Sequence, residues 1–135
     1  MELGIKNKSV LVSAGSRGLG KATAKAFALE GCRVAICGRN EESLSETAKE
    51  ISEVSKSDIH SIVCDLTDGE SILKMFKEIE STLGELEIIV INAGGPPVIA
   101  LDDLKDEHWE DAYRLPHLSA VRMVRYALPS MRKNK

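Results

Sequence analysis

The chain is predicted to fold as a partial doubly wound parallel sheet of the α/β class, with helices on both faces. Four short apolar runs recur along it: Ser9–Val12, Arg33–Cys37, Ile59–Cys64 and Ile88–Ile91. Between them lie segments whose apolar residues repeat at helical spacing. The first run leads straight into a glycine-rich turn and a helix, the arrangement that parallel sheets place at their ligand-binding end. Runs that are apolar throughout belong to strands covered on both faces. Right-handed crossovers then give the strand order 3-2-1-4.

Each element has its own signal. After Ser9–Val12 comes the turn Ser13-Ala14-Gly15-Ser16-Arg17-Gly18-Leu19-Gly20. A helix over Lys21–Glu30 follows, with Leu19, Ala22, Ala26 and Leu29 at helical spacing and Gly31 as its stop. The second strand ends at Gly38-Arg39-Asn40, where Asn40 is placed to cap the next helix. That helix carries Leu44, Ala48 and Ile51 on one face and acidic residues on the other. The third strand is interrupted by His60 and Ser61 and ends in Asp65-Leu66. Thr67 to Glu70 has capping-box spacing, and Ile72, Met75, Phe76, Ile79 and Leu83 line the helix beyond it, which Gly84 stops. The fourth strand runs into Asn92-Ala93-Gly94-Gly95-Pro96-Pro97, a loop that belongs to the site.

Strand ends in such a sheet supply the ligand contacts. At the first, unpaired N–H groups and the positive end of a helix dipole make an anion site. At the second, the place where NAD-specific folds carry an acidic residue, Arg39 stands instead, and no Asp or Glu precedes Glu41. Arg39, with Arg17 from the turn, suits a 2′-phosphate because guanidinium donors form a fork that matches its oxygens. NADP is therefore expected over NAD.

At 135 residues the chain is one domain's worth, with 43% hydrophobic and 29% charged residues. A net charge of −3, with no aromatic-plus-basic stripe, argues against nucleic acid as a partner. Met1 to Lys6 lack an apolar stretch, so no secretory signal is expected. No apolar run approaches the roughly 20 residues of a membrane helix. Cys32, Cys37 and Cys64 lack metal-ligand spacing and read as buried, reduced thiols of a cytoplasmic protein, with no metal site.

Gly15, Gly18 and Gly20 depart from the G-x-G-x-x-G spacing. They resemble the T-G-x-x-x-G-x-G motif of the short-chain dehydrogenase/reductase family, with Ser13 in the Thr position and Ala14 in place of the first glycine. Asn92-Ala93-Gly94 is the family's N-A-G motif as it stands, and Trp109–Met131 resembles its long helical region. The wording is nearest the 3-oxoacyl-carrier-protein reductase-like branch, over Asn7–Met131, about the first half of such a protein. The resemblance implies a Rossmann-type fold, residues 1–135 forming a single NAD(P)-binding domain, and hydride transfer between NADP(H) and a carbonyl or alcohol. It implies that Asp65 and the backbone of Leu66 meet the adenine, that the cofactor lies along Ala93 and Gly94, and that Asn92 braces the central strand.

The family's Tyr-x-x-x-Lys group is not in this stretch: His117 and Ser130 stand four residues after the two tyrosines. The strand bearing the family's catalytic Ser would lie beyond Lys135, and Pro116 takes the place of its helix Asn. His117 beside it is read as a tolerated surface or core residue rather than a general base. A fourth strand left as a sheet edge, and Val121, Val124 and Leu128 along the last helix, predict an oligomer or a chain truncated from a larger protein. Two further readings stand beside the oxidoreductase: a module that holds a dinucleotide or dimerises without chemistry, and a phosphate-binding fold without its ligand.

Overall fold

Ser9–Val12 (β1), Arg33–Gly38 (β2), Ile59–Val63 (β3) and Ile88–Val90 (β4) form one parallel sheet, ordered β3-β2-β1-β4, in a computed structural model that describes residues 2–95 and 97–134. Pro96 of the expected loop lies outside the described residues. The helices are Gly18–Leu29 (α1), Glu41–Ser55 (α2), Gly69–Thr82 (α3), Asp106–Ala112 (α4) and Ser119–Lys133 (α5). A π turn, Tyr113–Leu118, joins the last two. Strand pairing is in register from Val10↔Val34 on one side of β1 and Val10↔Ile88 on the other. The expected architecture and strand order are those observed.

Alternate residues of β1 and β2 feed opposite faces, which is why both strands are apolar throughout. Val10, Val12, Val34 and Ile36 pack with Ala24 and Ala28 of α1 and with Leu44, Ala48 and Ile51 of α2. Leu11, Ala35 and Cys37 pack with Ile72, Met75 and Ile79 of α3 and with Met123 and Ala127 of α5. Burying each large aliphatic side chain contributes roughly 1.5–3 kcal/mol, so these two layers outweigh any single polar contact.

Local chemistry corrects several expected details. α1 begins at Gly18, and its buried residues are Gly20, Ala24 and Ala28. The stripe Leu19, Ala22, Ala26 and Leu29 faces outward, with Leu19 81% exposed. Small side chains turn inward there because the helix lies close against the sheet. At α3 the cap is Asp68, whose side chain accepts from the Glu70 N–H, so the capping-box reading from Thr67 is displaced by one residue. Thr67 instead bonds back to Asp65 through its N–H and hydroxyl. β3 and β4 each stop one residue before the expected Cys64 and Ile91. Asn40 caps α2 as expected, its Oδ1 accepting from the Ser43 N–H at 2.8 Å.

The amino end of β1 is pinned to the start of β4. Ser9 Oγ donates to the Glu85 carbonyl at 2.5 Å and accepts from the Glu87 N–H at 3.1 Å. The Glu87 carboxylate accepts from Lys8 Nζ at 2.8 Å and from the Ser9 N–H at 3.1 Å. The Lys8 hydrogen bond, then that of Ser9, holds the Glu87 carboxyl below the usual carboxylate range. Such a group stabilises the fold above its unfolded pKa, near 4.3, and the contribution is lost as pH falls through the lower folded value. In urea unfolding, the stability gap between the parent and Glu87→Gln is expected to be open at neutral pH and to close between roughly pH 5 and pH 3. A gap independent of pH would contradict this assignment.

Candidate functional site

Parallel strands present all their carboxyl ends on one side, and the segments leaving β1, β2, β3 and β4 meet there. The turn after β1 is tethered in three directions. Toward β4, the buried Ser13 hydroxyl donates to the Asn92 carbonyl at 2.6 Å and accepts from the Asn92 N–H at 2.8 Å. Asn92 Nδ2 reaches the Ala14 carbonyl at 3.4 Å. Toward β2, the Gly15 N–H donates to the Cys37 carbonyl at 3.0 Å. Toward α2, Thr47 Oγ1 donates to the Ser16 carbonyl at 2.7 Å.

The turn then opens into α1. Arg17 is exposed and extended, with no side-chain cap on the helix and no acidic residue in its first turn. Gly18 takes φ +55°, and a Cβ there would meet nothing within 4 Å. Gly20 sits under the turn: a Cβ would lie 2.1 Å from the Ala14 carbonyl oxygen and 3.0 Å from Asn92 Nδ2. Ala14 itself takes φ +48°, in the left-handed region that favours glycine.

Arg39 follows β2 directly and is exposed. After β3, Asp65 Oδ1 accepts from the Thr67 N–H at 2.9 Å and hydroxyl at 2.7 Å. The Thr67 hydroxyl, then its N–H and the charge of Arg39, hold the Asp65 carboxyl below its ordinary range. Ser71 Oγ accepts from the Asp65 N–H at 3.0 Å, and Leu66 turns into the core. Arg122 on α5 donates to the Thr67 carbonyl at 3.3 Å, tying the last helix to this loop. Ala93 is half-buried and Gly94 is exposed, with open space around it.

The family model for short chain dehydrogenase matches residues 8–135. The chain belongs to the short-chain dehydrogenases. It is 33% identical over 131 residues to the uncharacterised oxidoreductase YvrD of Bacillus subtilis, covering 97% of this chain and 49% of that protein. It is 30% identical over 119 residues to a Mycobacterium tuberculosis reductase acting on a hydroxy-methyl-oxo-hexahydroindene carboxyl-CoA, covering 88% and 45% respectively. Among solved structures, L-sorbose reductase from Gluconobacter frateurii, complexed with NADPH and L-sorbose, superposes with TM-score 0.94 at 28% identity. The superposition covers 99% of this chain and 51% of that one. The chain thus spans about half the length of the short-chain dehydrogenases it matches.

The structure brings Ser13, Gly15, Ser16, Arg17, Gly18, Leu19 and Gly20 together with Arg39, Asp65 and Asn92-Ala93-Gly94 at one end of the sheet. Pro116 lies within the π turn. A proline cannot donate to the carbonyl four residues back and its ring crowds that carbonyl, which the wider turn relieves. His117, exposed on the same turn, stacks on Tyr113 with ring centroids 5.1 Å apart. Thr47, Ser71 and Arg122 escaped the sequence reading. For Thr47 a signal existed: it is a hydroxyl residue on the apolar stripe of Leu44, Ala48 and Ile51.

Glycine at position 14 would remove a left-handed penalty of about 1–2 kcal/mol, partly offset by glycine's greater unfolded-state freedom. Ala14→Gly is therefore expected to raise stability by about 0.5 kcal/mol, read as a higher urea midpoint at unchanged slope. Gly20→Ala must displace backbone and is expected to lose about 2 kcal/mol or more in the same measurement. A stabilised Gly20→Ala would show that the turn is not packed as described.

Proposed function

We propose that this chain is the NADP-binding part of an oxidoreductase that moves hydride between NADP(H) and a carbonyl or alcohol substrate. One observation carries the reading: α1 opens with its N–H groups uncapped, beneath a turn whose Gly18 borders open space. Anions are favoured at such a terminus by the free donors and the helix dipole together. The residues present fit a dinucleotide. Ser13, Gly15, Ser16, Gly18, Leu19 and Gly20 would form the cradle for its pyrophosphate. Arg17 and Arg39 would meet the 2′-phosphate, a charge that an acidic residue at position 39 would repel. Asp65 and the backbone of Leu66 would meet the adenine, and Asn92, Ala93 and Gly94 would carry the cofactor against the chain.

The bound cofactor supplies the hydride-transferring ring; the chain's own residues bind and orient it. A substrate of the 3-oxoacyl-thioester type, or another ketone, is supported by two similar proteins named as reductases, one of a carboxyl-CoA compound and one of L-sorbose. A cytoplasmic setting is supported by three buried free cysteines. A second reading, a module that holds the dinucleotide without chemistry, is favoured by Pro116, which stands in the π turn where the resemblance places the family's helix Asn. Turnover of a ketone by the 135-residue chain would exclude that second reading.

Titration with NADPH is expected to give saturable enhancement of its fluorescence, and Arg39→Asp to lower the NADPH-over-NADH affinity ratio by about tenfold or more. No saturation would overturn the cofactor reading; an unchanged ratio would overturn the assignment of Arg39.

The helix α5 also presents Val121, Val124 and Leu128, each more than a third exposed, beside buried Met123 and Ala127. That apolar stripe supports self-association. Sedimentation is expected to find the parent as an oligomer and Leu128→Glu as a monomer, since a charge in an apolar interface must be desolvated unpaired. A monomeric parent would contradict it.

A further inference from the structure

We infer that Thr47, which lies outside the strand-end loops, is a positioning residue for the cofactor's 2′-phosphate, acting by holding the Ser16–Arg17 turn in place. The inference rests on the NADP reading above. Thr47 is only 3% exposed, on the face of α2 that packs into the core with Leu44, Ala48 and Ile51. A threonine hydroxyl within a helix ordinarily bonds back to a carbonyl of its own preceding turn. Here it crosses 31 residues of sequence to the Ser16 carbonyl at 2.7 Å.

That bond joins the elements that carry the two guanidinium groups. Arg17 follows Ser16, and Arg39 lies between β2 and the start of α2. The same turn meets β2 through the Gly15 N–H on the Cys37 carbonyl, and Ser16 Oγ stands 3.7 Å from where a Cβ on Gly38 would lie. Arg17 and Arg39 are both exposed, so their own packing does little to fix their separation. The backbone must do so. Without the Thr47 hydroxyl the Ser16 carbonyl loses its donor, the turn gains freedom, and Arg17 spends less time where it can share a phosphate with Arg39.

Two probes differ only in that phosphate: 2′,5′-ADP and 5′-AMP. Calorimetric titration of the full chain with each is expected to show that Thr47→Val lowers their affinity ratio by about tenfold, mostly through 2′,5′-ADP. Thr47→Ser, which restores the hydroxyl, is expected to recover the ratio to within about twofold. Thr47→Ala reads the same ratio without a branched side chain, should the valine variant fold poorly. A ratio unchanged in both hydroxyl-less variants, or equal losses for the two probes, would overturn the inference while leaving the cofactor reading intact. A parent chain that bound neither probe would overturn both.

Discussion

At the end of β1 a serine side chain takes over from the backbone. The ladder between β1 and β4 runs through only three paired positions, from Val10↔Ile88 to Val12↔Val90. Beyond it the main chain of β1 turns away into the glycine-rich loop, and the Ser13 hydroxyl goes on bonding β4 as a peptide group would, donating to the Asn92 carbonyl and accepting from its N–H. Ser9 does the corresponding work at the other end, on Glu85 and Glu87. Both serines are fully buried, where an unmade hydrogen bond costs roughly 1–3 kcal/mol. The direction in which the loop leaves the sheet depends on that substitution of side chain for backbone.

Everything on the ligand side inherits this constraint. Ala14 follows Ser13 in a left-handed conformation, which swings the turn over Gly20. Asn92 then closes the gap by reaching the Ala14 carbonyl. With the turn held to β4, β2 and α2, the first N–H groups of α1 keep a fixed direction and no side chain occupies them. The proposed cofactor site would gain from this rigidity, because donors that are already aimed need not be reorganised when charge arrives.

The fold was legible because it depends on patterning, and the layers of this sheet are patterned strongly. Four apolar runs and the stripes of α2 and α3 are enough to give strand order and coverage. In α1 the residues at helical spacing are not the ones that face the core, for a physical reason. Periodicity weights large side chains, whereas a helix lying this close to a sheet buries Gly20, Ala24 and Ala28 and leaves Leu19 and Leu29 outside. The glycine-rich turn and Asn92 were legible because backbone geometry restricts which residues can stand there. Ser71 was not, since a lone hydroxyl announces neither its partner nor its direction, and the place of Thr47 on the apolar stripe of α2 marked the residue without naming the Ser16 carbonyl as its partner. That Pro116 stands in a wider turn follows from how the carbonyls regroup around it, which no residue type announces.

The cysteines give the molecule an internal clock. Cys37 and Cys64 lie immediately before the segments that carry Arg39 and Asp65, and both are sealed in the core. The Cys37 thiol is held protonated, first by its hydrogen bond with Cys64 and then by burial. Alkylation requires a thiolate in contact with solvent. In the closed molecule neither condition is met at Cys37, so modification there must wait for the α3 and α5 layer that covers it to lift from the sheet. The labelling rate at Cys37, read apart from Cys32 and Cys64 by peptide mass, thereby measures how often that layer comes open, a local event whose free energy can lie well below that of global unfolding. No engineered probe is needed to follow it.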